Sequence, residues 1–180
     1  MLPPGPGNDR CGGGGYHRLV HVRLARPADS EQILAIYNEA ILRSTATFDL
    51  VPRTEAEQAA WMVEHAGPHP AIVATEGGTV VGFGSLSPYR DKHAYAPTVE
   101  NSVYVHLDHR RRGVGRALLE ELILLAGRHG FHSVIARIGE NNTASIGLHE
   151  ACGFGLVGIE REVGRKFNRW LDVSVLQRMV

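Results

Sequence analysis

The sequence predicts a mixed α/β domain in which helices pack on a mixed sheet. Two observations support this fold class. Apolar residues recur at helical spacing in some segments and form short strand-like runs in others. In chain order these segments are strand, two helices, three strands, helix, strand, helix and two strands, a mixture of hairpins and helical connections. The chain has 180 residues, of which 43% are hydrophobic, so one domain can form a sufficient core.

The amino-terminal region combines a low-complexity tract with the first strand and helix. Residues 1–18 are rich in glycine and proline and predict a flexible tail, so the domain is expected over residues 19–180. Leu19 to Ala25 alternates as a first strand. Pro27-Ala28-Asp29-Ser30 is typical of a helix start, and the apolar positions from Ile33 to Ile41 follow at helical spacing.

The next segments predict a second helix and a hairpin. Thr54-Glu55-Ala56-Glu57 resembles a capping box and is followed by apolar Trp61 and Met62. Ala71–Ala74 and Thr79–Phe83 form two apolar runs separated by Glu76-Gly77-Gly78, which predicts a hairpin turn.

The carboxy-terminal half alternates strands and helices. Val99 to Leu107 predicts a strand, and Ser133–Ala136 a short buried one. Asn142 is expected to cap a helix that ends at Gly153. A long third helix buries one apolar face, formed by Val114, Leu118, Leu122 and Leu125. The closing strands are expected at Phe154–Val163 and Leu171–Met179.

Composition argues against several classes of function. The formal net charge is +0, so no overall field favours nucleic acid. No apolar run reaches the roughly 18 residues of a membrane span. Cys11 and Cys152 are too few for a disulfide framework, and neither a signal peptide nor a metal-binding motif is present. These features predict a cytoplasmic protein without a metal site.

The segment from residue 99 to 117 predicts an anion site. An apolar strand runs into Arg110-Arg111-Arg112-Gly113-Val114-Gly115-Arg116, which opens the long helix. Glycines let the backbone approach a phosphate closely, and the first amides of a helix point towards negative charge. The alternative is a basic, solvated helix start or a nucleic-acid surface.

The order of elements and the Arg110-x-x-Gly113-x-Gly115 signature resemble the GNAT superfamily of acetyl-coenzyme A-dependent N-acetyltransferases. Segments 98–105, 142–150 and 164–173 resemble, more narrowly, the branch that acetylates phosphinothricin, methionine sulfone and methionine sulfoximine. The resemblance implies a GNAT fold, with a twisted, mostly antiparallel mixed sheet, helices on both faces and a splayed strand at the cofactor site. It also implies a homodimer.

The resemblance also implies how acetyl-CoA binds. Backbone groups of the strand edge would contact pantetheine, and the arginine-glycine segment would hold the pyrophosphate. Asn142 and Ser145 would lie near both, although capping alone also explains Asn142. The implied cofactor-binding residues are Val103, Tyr104, Val105, Arg110, Arg111, Arg112, Gly113, Val114, Gly115, Arg116, Asn142 and Ser145.

Glu100 and His149 are the candidate catalytic residues. A carboxylate can take the proton of an attacking amine, and partial burial would raise its pKa towards the working range. His149 stands where many superfamily members carry tyrosine, and the branch also has histidine there. It could assist proton transfer or hold the acyl group, whereas the alternative is a packing histidine. For Glu100 the alternative is a solvent-facing edge residue.

Acceptor binding is expected at Glu100 and in the loop from Tyr89 to Tyr95. Arg90, Lys92 and Tyr95 match the basic residues and tyrosine of the branch, and a cationic loop suits an anionic acceptor. Phe48 is a candidate pocket wall, with core packing as the alternative.

The sequence thus predicts acetyl transfer from acetyl-CoA to the α-amine of a small amino-acid-like acceptor. Acetylation of a protein terminus, a polyamine or another amine is the enzymatic alternative. A non-catalytic CoA-binding module is the alternative from another class.

Overall fold

The computed structural model describes residues 20–140 and 142–180, and the predicted tail and Leu19 lie outside them. The helices are α1 (Ser30–Arg43), α2 (Glu55–Glu64), α3 (Val114–Arg128) and α4 (Thr143–Ala151). The strands are β1 (His21–Leu24), β2 (Ala71–Glu76), β3 (Thr79–Pro88), β4 (Thr98–Val105), β5 (Ser133–Gly139), β6 (Gly155–Lys166) and β7 (Arg169–Met179). They form one seven-stranded sheet in the order β1-β2-β3-β4-β5-β7-β6.

The sheet opens between β4 and β5. These strands are parallel, whereas every other neighbouring pair in the sheet is antiparallel. Their pairing covers only Thr98–Glu100 opposite Ser133–Ile135. Beyond these residues β4 continues to Val105 and β5 to Gly139 without pairing to each other, which leaves a gap between them. The expected mostly antiparallel mixed sheet with a splayed strand is confirmed.

Helices cover both faces of the sheet, as expected. Helix α3 packs on one face through the predicted apolar positions, and Leu148 of α4 joins the same core. Helix α1 packs on the other face, where Ile33 and Tyr37 contact the core around Phe83. We call these two faces of the sheet the α3 face and the α1 face.

Local sequence signals account for several element boundaries. Thr54 Oγ1 accepts a hydrogen bond from the amide of Glu57 at 3.2 Å, and Glu57 accepts one from the Thr54 amide at 2.7 Å. The predicted capping box is confirmed. Gly77 and Gly78 have positive φ at the predicted hairpin turn.

Several boundaries differ from the sequence prediction. Pro27–Asp29 form a 3-10 turn, so α1 begins at Ser30. The Asp29 carboxylate holds this turn, accepting hydrogen bonds from the Arg26 amide and the Arg23 guanidinium at 2.7–2.8 Å. Strand β4 ends at Val105 rather than Leu107, because Leu107–His109 form another 3-10 turn.

The last hairpin is longer than predicted. Strand β6 extends to Lys166 and β7 starts at Arg169, so two residues form the turn. Phe167 and Asn168 both have positive φ, as the favoured two-residue hairpin turns require. Strand β5 also continues to Gly139 instead of ending at Ala136, with polar Arg137 inside it.

Candidate active site

A cavity of about 920 Å³ lies where β4 and β5 separate. It is bordered by the start of α3, the start of α4 and the loop between α1 and α2. Most of the predicted site residues line it. They are Phe48, Glu100, Val103, Tyr104, Val105, Arg110, Arg111, Gly113, Gly115, Arg116, Asn142, Ser145 and His149.

The edge of β4 offers backbone groups to this cavity. His106 donates its amide to Val81 of β3 at 3.0 Å. Because backbone groups alternate in an antiparallel pair, those of Tyr104 also face β3, and those of Val103 and Val105 face the gap. Strand β5 has separated from β4 at this point, so it does not take up these groups.

The start of α3 has the features of an anion-binding site. Gly113 is the N-cap, with a φ of 83°, and it provides no side-chain cap for the first amides. A Cβ at Gly115 would lie 3.3 Å from the Leu148 side chain, so α3 and α4 approach closely here. Arg110, Arg111 and Arg116 line the same side of the cavity. Unpaired amides, a helix dipole and guanidinium groups together fit a pyrophosphate.

The start of α4 faces the same cavity. Asn142 is the N-cap, and its side-chain oxygen accepts a hydrogen bond from the Ser145 amide at 3.2 Å. The predicted cap is confirmed. Asn142 and Ser145 also line the cavity, so capping does not remove them from contact with a ligand.

Glu100 is partly buried in the wall of the cavity. Burial raises the pKa of its carboxyl above the usual value, since an ionised group loses hydration there. The guanidinium of Arg137 lowers this pKa and the carboxylate of Glu160 raises it, by smaller amounts. A carboxylate with a raised pKa is suited to accept a proton near neutral pH.

Glu100 and His149 lie on opposite faces of β4. Adjacent residues of a strand point to opposite faces, and Asn101, the neighbour of Glu100, contacts His149 of α4. His149 is only 4% exposed. Its Nδ1 lies 2.8 Å from the carbonyl of Ser145 and its Nε2 lies 3.1 Å from Oδ1 of Asn101. Burial lowers the pKa of the imidazole.

Phe48 forms the wall on the α1 face. Its ring packs closely against Gly139 and Gly164. A Cβ on Gly164 would overlap the ring. A Cβ on Gly139 would come within 2.8 Å of the ring and of the Thr45 carbonyl. The amine of Lys166 donates to the carbonyl of Thr47 at 2.7 Å and fixes the loop before Phe48.

Some predicted site residues lie elsewhere. Arg112 does not line the cavity, and the side chain of Val114 is buried in the core on the α3 face. Arg90, Lys92 and Tyr95 line a separate surface pocket of about 520 Å³. There the Arg90 guanidinium lies over the rings of Tyr89 and Tyr95, at 4.9 and 5.4 Å from their centres.

Sequence reasoning missed Arg137, which lines the cavity from β5. Its position in a strand of apolar residues was the available signal, since a single arginine there marks a face that is not fully buried. Residues 20–140 and 142–180 contain no group of three or more side chains suited to hold a metal ion. None of the helices in this part of the chain has the length and apolarity needed to cross a bilayer.

Comparison with known proteins identifies close relatives of the chain. The sequence profile of the acetyltransferase (GNAT) family matches residues 33–154. An L-methionine sulfoximine/L-methionine sulfone acetyltransferase from Pseudomonas paraeruginosa is 41% identical over 158 residues, covering 87% of this chain and 92% of the relative.

Solved structures share the fold. A phosphinothricin acetyltransferase of the GNAT superfamily from Sinorhizobium meliloti, crystallised with AcCoA, superposes with a TM-score of 0.87. It is 38% identical, and the match covers 89% of this chain and 88% of that one. A ribosomal-protein-alanine N-acetyltransferase from Brucella melitensis gives a TM-score of 0.87 at 37% identity, covering 89% and 99% of the two chains.

Proposed function

The chain belongs to the GNAT family of acetyltransferases, and we propose which of its residues perform the reaction and which acceptors it takes. The enzyme is an acetyl-CoA-dependent N-acetyltransferase that acts on an amino-acid-like acceptor. The proposed acceptors are α-amino acids of the phosphinothricin, methionine sulfoximine or methionine sulfone type. These are the compounds that the relatives' names give for those proteins.

One observation supports the roles that we assign to these residues. A single cavity contains the partly buried Glu100 carboxyl, the backbone edge of Val103 and Val105 that β5 does not pair with, and the start of α3 at Gly113, which has no side-chain cap. These are a proton acceptor, a strand edge for an amide-containing chain and an anion site. Together they can bind acetyl-CoA and accept the proton that the attacking amine loses.

The proposed acetyl-CoA site runs from the start of α3 to the gap between the strands. Amides after Gly113 and the guanidinium groups of Arg110, Arg111 and Arg116 hold the pyrophosphate. The amides of pantetheine bind along Val103 and Val105, as a peptide binds to a strand edge. Asn142 and Ser145 approach the same ligand from α4. Arg112 contributes positive charge from outside the cavity, and Val114 contributes only its backbone.

In the proposed reaction, acetyl-CoA supplies an acetyl group activated as a thioester. The nitrogen of the α-amine attacks the thioester carbon, the C–S bond breaks, and coenzyme A leaves as a thiolate that takes up a proton to become the free thiol. Glu100 accepts the proton that the α-amine loses, directly or through one water molecule. The amide of Val105 faces the gap and donates a hydrogen bond to the thioester carbonyl, where negative charge develops. Both ring nitrogens of His149 already face oxygen atoms. We therefore propose that His149 holds β4 in position through Asn101.

The acceptor site lies on the α1 face, beside Glu100. Phe48 forms an apolar wall there, which suits the methylene groups of the proposed amino acids. Arg90, Lys92 and Tyr95 lie in a separate pocket, so we propose that their positive charge attracts an anionic acceptor without contacting it at the Glu100 site.

Three expectations remain proposals. The acetyltransferase domain is proposed to span residues 19–180, and the enzyme to act in the cytoplasm. A homodimer is proposed from the resemblance to the branch. Exposed apolar side chains on the edge strand β6 support it, since Leu156, Val157 and Ile159 are between 41% and 61% exposed. Sedimentation analysis of the full chain tests the dimer.

A thiol-release assay tests the function. The enzyme is mixed with acetyl-CoA and phosphinothricin, methionine sulfoximine, methionine sulfone, common amino acids, polyamines or peptides. We expect the highest kcat/KM with the first three. Absence of thiol release with phosphinothricin, methionine sulfoximine and methionine sulfone would contradict the proposed acceptors.

Acetylation of a peptide amino terminus is a second candidate. The name of the Brucella melitensis structure assigns this type of acceptor to that protein. The same panel separates the two functions, because a peptide enzyme would prefer an alanine-starting peptide to every free amino acid.

A further inference from the structure

Arg137 occupies the acceptor side of the cavity. It lies on β5 two residues after Ile135, which pairs with Glu100 in the parallel register. Because side chains on a strand alternate, Arg137 and Ile135 share the α1 face with Glu100. Val134, Ala136 and Ile138 point to the other face and join the core on the α3 face.

Arg137 is also the cation that acts electrostatically on the Glu100 carboxyl. Arg110 and Arg111 precede α3 and Arg116 lies in its first turn, so all three follow the end of β4 that is remote from Glu100. Arg90 and Lys92, the basic residues expected to bind the acceptor, line a different pocket. A charged group beside the proton acceptor is therefore provided by β5 rather than by the predicted loop.

We propose that Arg137 binds the carboxylate of the amino-acid acceptor while Glu100 faces its α-amine, an inference that rests on the proposed function. An α-amino acid carries these two groups on one carbon atom, so its recognition needs a cation and a proton acceptor side by side. A planar guanidinium can hold a carboxylate through two parallel hydrogen bonds, which fixes the direction of the amine.

Arg137 pairs with Glu160 when no acceptor is bound. Its carboxylate accepts two hydrogen bonds from the Arg137 guanidinium, at 3.1 and 2.6 Å. A guanidinium has five N–H donors, so it can bind a second carboxylate. The two side chains are 33% and 36% exposed, and such a solvent-accessible ion pair is weak enough to rearrange when an acceptor binds.

Two matched acceptors test the proposal in Arg137→Gln. The probes are L-methionine sulfone and its carboxamide, which differ in the carboxylate alone. We expect kcat/KM for the acid to fall about 10- to 100-fold and that for the carboxamide to change less than about threefold. Each probe is compared with itself in the wild-type enzyme, so the different amine pKa values of the two probes cancel.

Arg161→Gln is the control, because Arg161 also forms an ion pair on β6 and does not line the cavity. This variant should leave kcat/KM unchanged for both the acid and the carboxamide. A second variant, Glu160→Gln, removes the competing carboxylate and should lower KM for the acid severalfold relative to the carboxamide. Equal losses for acid and carboxamide in Arg137→Gln, or no loss, would overturn the role of Arg137.

An error in the proposed function would give a different result from an error in the role of Arg137. In that case wild-type enzyme would release no thiol with L-methionine sulfone or its carboxamide. Calorimetric titration of L-methionine sulfone into wild type and Arg137→Gln, with CoA present, then decides the inference. Weaker binding to the variant supports it, and equal or undetectable binding to both proteins refutes it.

Discussion

Asn101 connects the strand of Glu100 to the helix of His149. Its side-chain oxygen lies 3.1 Å from Nε2 of His149, and its amide nitrogen donates to the carbonyl of Ile135 at 3.1 Å. One side chain thus joins β4, β5 and α4 at the point where the sheet opens. The position of Glu100, its neighbour on β4, depends on this connection.

Replacing Glu100 by glutamine tests the proton acceptor. Glutamine has nearly the same shape and cannot accept the proton, so kcat should fall by about 10²- to 10³-fold. The dissociation constant of acetyl-CoA should stay within about twofold, which calorimetry measures. Unchanged turnover would remove Glu100 from the reaction.

Glu160→Gln should change the pH dependence of the rate. Glu100 must be ionised to act, and its raised pKa places the acid limb of kcat/KM above the ordinary value of 4.5. The Glu160 carboxylate contributes to this increase, so its removal lowers the pKa and shifts the limb to lower pH. Glu162→Gln, on the same strand, is the control and should not shift it. A shift to higher pH would contradict the assignment.

Gly113→Asp should weaken acetyl-CoA binding by about 10- to 100-fold, because a carboxylate would face the phosphates. Gly78→Asp is a matched control in the hairpin turn. The two glycines have φ values of 83° and 88°, and an added Cβ meets nothing within 4 Å at either position. Both variants therefore carry similar backbone strain. Equal calorimetric affinities for the two would refute the phosphate site.

Gly164→Ala should displace the Phe48 ring, because the added methyl group overlaps it. We expect KM for the acceptor to rise about tenfold or more, since small misplacements in a site have large effects. KM for acetyl-CoA should hardly change. Gly158→Ala on the same strand is the control, as its methyl group meets no atom within 4 Å. If the two variants have equal KM values for the acceptor, Phe48 does not border the acceptor.

His149→Gln separates a positioning role from a chemical one. Loss of the two buried contacts should lower the free energy of unfolding by about 1–3 kcal/mol, measured by urea denaturation. The fall in kcat should stay below about tenfold if the residue acts through Asn101. A loss as large as that in Glu100→Gln, with stability intact, would show direct participation in proton transfer.

Local patterns predicted much of this fold. The capping box at Thr54, the glycine turn at Gly77 and the apolar face of α3 depend on neighbouring residues, and each lies where the sequence placed it. The end of β4 at Val105 depends on the gap and the turn that follows, which no local pattern contains.

The site was predictable to the same extent. The arginine-glycine segment and Glu100 fall within continuous motifs, and the structure brings them to one cavity. Arg137 comes beside Glu100 only through strand pairing, so reading along the chain did not find it. The loop of Arg90 was expected at the acceptor because its basic residues and tyrosine match those of the branch. In the structure the Arg90 guanidinium lies over the rings of Tyr89 and Tyr95 of the same loop.

The short pairing between β4 and β5 has a consequence for folding. Strands β1 to β4 form one half-sheet and β5 to β7 another, and only three residue pairs between β4 and β5 join them in the sheet. Within each half most neighbours are close in the chain, whereas this joint requires the crossover through α3. Long-range parallel pairing is slow, so the joint should form late and exchange its amide protons early. A ligand that bridges the halves should raise the midpoint of thermal unfolding as its concentration increases.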